Sequence, residues 1–235
     1  MTTFLLNESS ALDAGALTPS LTIAEQRKIR RVVLTHSHVD HVATLPFFIE
    51  NLFGSSRSVE IAAPASVLNP IRKHLFNDEL WPDFSRLPSR KSATVRFRPI
   101  RPGGAYRSGG LSFRPIPVFH IVPTFGYLVS AAGRSILFSG DTGPTRRLWN
   151  AADRARDLKA IFLEVSFSDD QEDVARAARH LTPKMIPGEL AKTRSQAPVF
   201  LYHMKPPSLE AIRREVRALR MPRLRFLRQG ETLEL

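Results

Sequence analysis

The stretch LTHSHVDHVATLPFF, residues 34–48, places His36, His38, Asp40 and His41 within six positions, although the chain has only seven histidines. Imidazole and carboxylate are the donors that zinc, manganese and iron accept. The preceding RVVLT (31–35) reads as a buried strand and HVATLPFF (41–48) as the start of a helix, so the donors fall on the turn between them. In an extended segment, residues two apart point the same way. His36 and His38 can therefore reach one cation while Asp40 and His41 turn toward a second. A polar loop whose histidines only cap or hydrogen-bond is the plainer explanation for a lone His-x-His, but four donors in so short a stretch argue for metal.

Further donors close other apolar runs. IPVFH ends in His120, SILFSGD in Asp141 and VFLYH in His203, while SALDAG carries Asp13. Gly140 and Gly143 flank the Asp141 region and permit close backbone approach. Polar groups at the ends of strand-like runs are where α/β sites are usually built. Cysteine is absent. Disulfides and thiolate ligands are thereby excluded, and a metal must rest on histidine and carboxylate.

The elements that must position these groups are short. Strand-like runs are TTFLL, SALDAG, RVVLT, VEIAA, TVRFRPI, LSFRPIPVFH, GYLVS, SILFSG, AIFLEV, APVFLYH and RLRFL. Helical patterns cover residues 40–53, 66–76, 169–181, 184–194 and 208–219. The strands cluster in consecutive runs instead of alternating strictly with helices, which favours a layered α/β (α+β) fold over a doubly wound parallel sheet. Residues 77–92, with two prolines and a tryptophan, read as a loop or lid. No clean linker divides the 235 residues, so one domain over residues 1–235 is expected.

Composition narrows the class. Hydrophobic residues make up 43% and charged residues 24%, an ordinary globular balance. No apolar run approaches the roughly 20 residues of a membrane helix, and MTTFLLNESS lacks the basic start of a secretory signal. A cytoplasmic protein with no membrane partner is expected. The net charge is +12, a field that attracts phosphate-bearing molecules or nucleic acid. In RREVRALRMPRLRFLR, however, Val216 and Leu219 keep helical spacing with Ile212 before them, and Leu224 and Phe226 alternate as in a strand. Those arginines therefore belong to the outer faces of ordinary elements, not to a nucleic-acid arm.

The series His36-x-His38-x-Asp40-His41, His120, Asp141 and His203 resembles the metallo-β-lactamase superfamily in order and approximate spacing across nearly the whole chain. That resemblance implies a four-layer αββα sandwich with two divalent cations, zinc first, with manganese or iron as alternatives. It implies that His36, His38 and His120 hold one metal and that Asp40, His41 and His203 hold the other. Asp141 would bridge them, and Asp13 would support the histidine loop without being a ligand. HLFNDELWPDF (74–84), FSGDTGPTRRLW (138–149), LEVSF (163–167), RHLTP (179–183) and HMKP (203–206) are similar to the class II cyclic-nucleotide phosphodiesterases. Members of that group usually open with a strand and a glycine-rich loop ahead of the segment matching TTFLL, and the domain is expected to lack that first strand.

The implied activity is hydrolysis of a 3′,5′-cyclic nucleotide, cAMP or cGMP, to the 5′-monophosphate. Two divalent cations would supply Lewis acidity, activating water and neutralising charge on the phosphodiester. Asp40 and His180 are the expected catalytic residues, with His180 protonating the leaving ribose oxygen. A helix-end histidine favoured by the helix dipole is the plainer reading of His180, and His74 is a weaker candidate that orders the lid. Asn77, Trp81 and Phe84 could meet the base by hydrogen bonding or stacking, or simply pack the proline-rich loop. The expected partner is a small cyclic nucleotide, with nucleic acid a weaker candidate and a homodimer left open. Two other functions compete. One is a tRNA 3′-processing endonuclease of the same fold, which the positive charge favours. The other is a non-catalytic phosphate- or RNA-binding module, which would have no need of seven metal ligands.

Overall fold

The computed structural model describes residues 1–55, 57–101 and 103–235. The chain forms two compact units, residues 1–109 and 110–235.

The first unit is built on strands β1 (Phe4–Asn7), β2 (Ser10–Leu12), β3 (Arg31–Val33), β4 (Val59–Ala63) and β5 (Val95–Pro99), hydrogen-bonded in that order. A further strand, β6 (Tyr106–Ser108), lies near the unit's end. β1 and β2 are antiparallel, whereas β2 to β5 run parallel. Parallel strands covered on both faces need apolar residues in runs, and Val32, Val33, Ile61, Ala62 and Ala63 are all fully buried. His36 therefore follows the end of a central strand, not an edge.

The single helix expected over 40–53 is two helices, Val39–Val42 and Leu45–Asn51. Thr44 breaks it. The Thr44 amide and hydroxyl both donate to the Ala14 carbonyl, at 3.0 and 2.8 Å, and its Oγ1 accepts from the Leu17 amide at 2.8 Å. Pro46 then has no N–H to continue the ladder. Leu45, Phe48, Ile49 and Leu52 keep the i, i+3, i+4, i+7 spacing and are buried. Two short helices, Leu17–Ser20 and Ile23–Gln26, escaped the sequence pattern. The second is a capping box, in which Thr22 accepts from the Glu25 amide and Glu25 accepts from the Thr22 amide. Residues 77–92 carry no helix, as expected of a loop.

The second unit's strands are β7 (Leu111–Pro117), β8 (Phe125–Ala131), β9 (Arg134–Phe138), β10 (Leu158–Glu164), β11 (Val199–Tyr202) and β12 (Leu224–Phe226). They lie in the order β12-β11-β10-β9-β8-β7. β7, β8 and β9 form an antiparallel meander, and β9 to β12 are parallel. Phe138, Phe162 and Phe200 are partners in register and stack, with centroids 4.5 and 5.4 Å apart. The opposite face packs Leu137, Ile161, Leu163 and Leu201 against Leu148, Trp149, Ile212 and Val216. Leu148 and Trp149 come from helix Arg147–Arg154, which the sequence pattern missed. The buried Trp149 Nε1 donates to Glu189 at 2.7 Å. Helix Leu209–Ala218 buries Ile212 and Val216 and leaves Arg214 and Arg217 exposed, as the C-terminal pattern predicts. Among the described residues no helix is long and apolar enough to cross a membrane.

Candidate metal centre

Within the first unit, the donor loop hangs on one buried carboxylate. The Asp13 backbone has a left-handed φ of 59°, and its amide donates to the Val33 carbonyl at 2.8 Å. Its side chain accepts from the Thr35 amide at 2.8 Å, from the Thr35 hydroxyl at 2.8 Å and from His41 Nδ1 at 2.7 Å. His38 is the N-cap position of helix Val39–Val42, and its extended backbone (φ −64°, ψ 146°) turns the chain from strand to helix. The His36 ring lies 4.7 Å from His38 and 4.2 Å from His41, centroid to centroid. Gly15 is required here, because a Cβ at that position would fall 1.9 Å from the Asp40 carbonyl oxygen.

The second unit brings its donors together from four strand ends. His120 follows β7, Asp141 follows β9, Glu164 ends β10 and His203 follows β11. Gly140, at φ 61°, lets the chain pass Phe125, whose carbonyl oxygen would lie 2.9 Å from a Cβ. His120, Asp141 and His180 each offer a ligand atom within 4.8 Å of the others, and so do Glu164, His180 and His203. His203 Nε2 is 3.4 Å from Asp141. Glu164 was not expected among the site residues, although LEVSF contains it. Its buried carboxylate accepts from the Thr142 amide at 3.0 Å, His180 Nδ1 at 2.8 Å and the Ser166 hydroxyl at 2.9 Å. Burial pulls the His180 imidazole down, but the charge and hydrogen bond of Glu164, joined by Asp141, outweigh it and leave the ring above its ordinary value.

The hydrogen bonds set the tautomers. A hydroxyl has one proton to donate. Thr35 gives its proton to Asp13 and so accepts from His36 Nδ1 at 3.0 Å. Ser166 gives its proton to Glu164 and so accepts from His203 Nδ1 at 2.8 Å. His41 Nδ1 donates to Asp13, His180 Nδ1 to Glu164, and His120 Nδ1 to the Arg179 carbonyl at 3.2 Å. Five imidazoles thus carry the proton on Nδ1, and the lone pair of each neutral ring is on Nε2. Metal-ligating histidines are held this way, with the remote N–H donated to a carboxylate, carbonyl or other acceptor. The donors present therefore fit divalent cations. Arg179, which was not expected here, sits at φ 57°, donates to the His120 carbonyl at 2.6 Å and lies 4.5 Å over the Phe119 ring.

The expected base contacts are less uniform. The Asn77 side-chain oxygen accepts from the Glu79 and Leu80 amides at 3.1 and 2.8 Å, which closes a turn. Trp81 is half-buried and meets Phe47 edge-on at 5.0 Å. Phe84 is corrected. It is buried and packs against Phe53 at 5.5 Å, so its ring has no open face for a base. His74 is exposed at the end of helix Ala65–His74.

The profile described as Beta-lactamase superfamily domain matches residues 5–204, which include every candidate ligand from His36 to His203. A probable 3′,5′-cyclic-nucleotide phosphodiesterase of Yersinia pestis is 26% identical over 208 residues, 77% of this chain and 58% of that protein. A ribonuclease Z of Prochlorococcus marinus is 26% identical over 114 residues, 46% of this chain and 33% of that protein. The chain thus spans little more than half of the first relative and a third of the second. The crystal structure of unliganded yeast PDE1 superposes with a TM-score of 0.75 at 20% identity, covering 87% of this chain and 67% of that one. With its histidine loop, its strand-end donors and a match over most of its length, the chain belongs to the metallo-β-lactamase superfamily and resembles its class II phosphodiesterases.

Proposed function

We propose that the chain is a metal-dependent hydrolase that opens the 3′,5′-cyclic phosphate of a nucleotide to the 5′-monophosphate. The proposed ligands of two divalent cations, zinc first among them, are His36, His38, Asp40, His41, His120, Asp141 and His203. The observation that carries the reading is the set of Nδ1-anchored imidazoles, of which His36, His41, His120 and His203 present Nε2 as the ligand atom. Bound cations supply Lewis acidity, acidifying water and neutralising charge on the phosphoryl oxygens. The protein's own part is to hold the donors in one tautomer and to manage the proton of the leaving group.

His180 suits that second task. Its Nδ1 proton stays with Glu164, and the negative surroundings favour the protonated ring. Glu164 stabilises the imidazolium before transfer; its Nε2–H can then give its proton to the departing 3′ oxygen, leaving a neutral ring that keeps Nδ1–H on Glu164 and regains a proton at Nε2 from water. The relatives named as cyclic-nucleotide phosphodiesterases support the substrate class.

A second reading, cleavage of an RNA phosphodiester, draws on the ribonuclease Z relative and on the net charge of +12. Metal-loaded protein should be assayed against cAMP, cGMP, bis(p-nitrophenyl) phosphate and a tRNA precursor. The proposal expects turnover of a cyclic nucleotide. Cleavage of the aryl diester and the tRNA precursor without turnover of either cyclic nucleotide would overturn it.

A further inference from the structure

We infer that a second, non-catalytic site in the first unit binds a polyphosphate group, in a hollow lined by Arg30, Arg31, Arg57, Ser58, Glu60 and Arg96. It lies at the far end of the sheet from the histidine loop. Arg31, Val59 and Val95 begin the parallel strands β3, β4 and β5, whereas His36 follows the end of β3. Five residues of extended chain separate Arg31 from His36, roughly 16 Å at the usual rise.

The register stacks the charge. Ser10 pairs with Arg31, Arg31 with Glu60, and Glu60 with Arg96, so one row crosses four strands. Paired residues on neighbouring strands lie on the same face. Among the described residues Glu60 is the only carboxylate lining the hollow, and both its oxygens are engaged. Oε1 accepts from Arg98 Nε at 2.7 Å and Oε2 from the Tyr106 hydroxyl at 2.5 Å. Among the described residues, none of Arg30, Arg31, Arg57 and Arg96 has a carboxylate in ion-pair reach.

Among the described residues Arg31 hydrogen-bonds only neutral groups, although its charge also acts on Glu60. Its Nη1 donates to the Ser9 and Ser10 hydroxyls, each at 2.9 Å. The guanidinium lies against Gly109, where any Cβ would fall 1.9 Å from Nη1. Arg31 Nε is buried with no hydrogen-bond partner among the described residues. Burial, with Arg57 and Arg31 nearby, depresses the basicity of Arg30. The like charges of Arg30, Arg31 and Arg57, with Arg96 also lining the hollow, are relieved by an anion that accepts from several of them. Their summed charge matches a di- or triphosphate better than a single phosphate. A cavity of about 460 Å³ has room for such a ligand, while a nucleic-acid backbone would call for a long basic track.

The test is calorimetric titration of the whole chain with pyrophosphate, ADP and adenosine at constant ionic strength. Saturable binding of pyrophosphate and ADP, without binding of adenosine, is expected. Tighter binding of ADP assigns the site to a nucleotide, and equal binding to the polyphosphate alone. Arg57→Gln and Arg96→Gln, which alter side chains outside the core, should each weaken binding about tenfold with metal content unchanged. Asp141→Ala should leave this binding intact, which separates it from failure of the catalytic reading. Unaltered affinity in the Arg57→Gln/Arg96→Gln double variant would overturn the site. So would tighter binding of a single-stranded oligonucleotide that the same variant abolishes, since it would assign the hollow to nucleic acid.

Discussion

The two units hold their histidines by the same device, arranged differently. In the first, Asp13 meets His41 directly and His36 through the Thr35 hydroxyl. In the second, Glu164 meets His180 directly and His203 through the Ser166 hydroxyl. Each device is one buried carboxylate, one hydroxyl and two imidazoles fixed at Nδ1. The difference is which histidine touches the carboxylate. In the first unit it is a proposed ligand, and in the second it is the proposed proton donor. On the proposed roles, the same hydrogen-bond chemistry would serve metal affinity in one place and proton transfer in the other.

The largest effect should come from substituting Asp141, the proposed bridge, because that would remove a donor both cations are proposed to share. Asp141→Ala should fall from about two metal equivalents to less than one and lose phosphodiester hydrolysis, both read on the same preparation by metal analysis and turnover. Full metal content in this variant would break the assignment. Next comes His180→Ala. It should lower kcat by roughly 10²–10⁴-fold while leaving metal content normal. The deficit should shrink with p-nitrophenolate as leaving group, which needs little protonation. An equal deficit on both substrates would make His180 a structural partner of Glu164.

The contrast also explains what the sequence could reveal. His36 to His41 lie within six positions and need only strand and turn periodicity to be seen as a site. His120, Asp141 and His203 each end an apolar run, and only their joint order and the family likeness gathered them. Glu164, Ser166, Thr35 and Arg179 were not picked out, because a hydroxyl or carboxylate that orients a histidine carries no spacing signal. The strands were legible because the buried runs are β-branched and aromatic, apart from the three-residue β6. Helices Leu17–Ser20 and Arg147–Arg154 were not, since one to two turns are too short for the helical period to show. The sequence leaves both readings of Phe84 open, because an aromatic in a proline-rich loop looks the same whether it faces solvent or Phe53.

Exchanging the two carboxylates for amides sharpens the comparison. Asp13→Asn should weaken metal binding about 10–100-fold, the usual cost of losing a carboxylate behind a ligating histidine. Glu164→Gln should keep most of its metal and lower kcat by less than His180→Ala does, since the imidazole remains but its proton is held less firmly. Metal titration and steady-state kinetics on both variants separate the outcomes. Matching losses of metal would mean that the two carboxylates do the same work.

The smallest effect is expected where a carboxylate and a hydroxyl pair without any imidazole. Glu60 accepts from the Tyr106 hydroxyl at 2.5 Å and from Arg98 at 2.7 Å. Partial burial pushes its carboxyl up, but the bonds from Tyr106 and Arg98 and the charges of Arg98 and Arg31 win, so the group lies below its ordinary value of 4.5. A carboxylate depressed in the folded chain adds stability that is fully present above the unfolded pKa and is lost as pH falls through the folded one. Tyr106→Phe removes the first of the lowering bonds and should bring the folded pKa back toward 4.5. The variant should therefore lose a little stability at neutral pH, and the gap to wild type should close as the medium is acidified below the folded pKa. Thermal unfolding followed from neutral to strongly acidic pH measures it. A gap that stays constant across that range would mean that Tyr106 acts through packing and not through the charge of Glu60. Metal content and turnover should not move in either case, because no histidine depends on this pair.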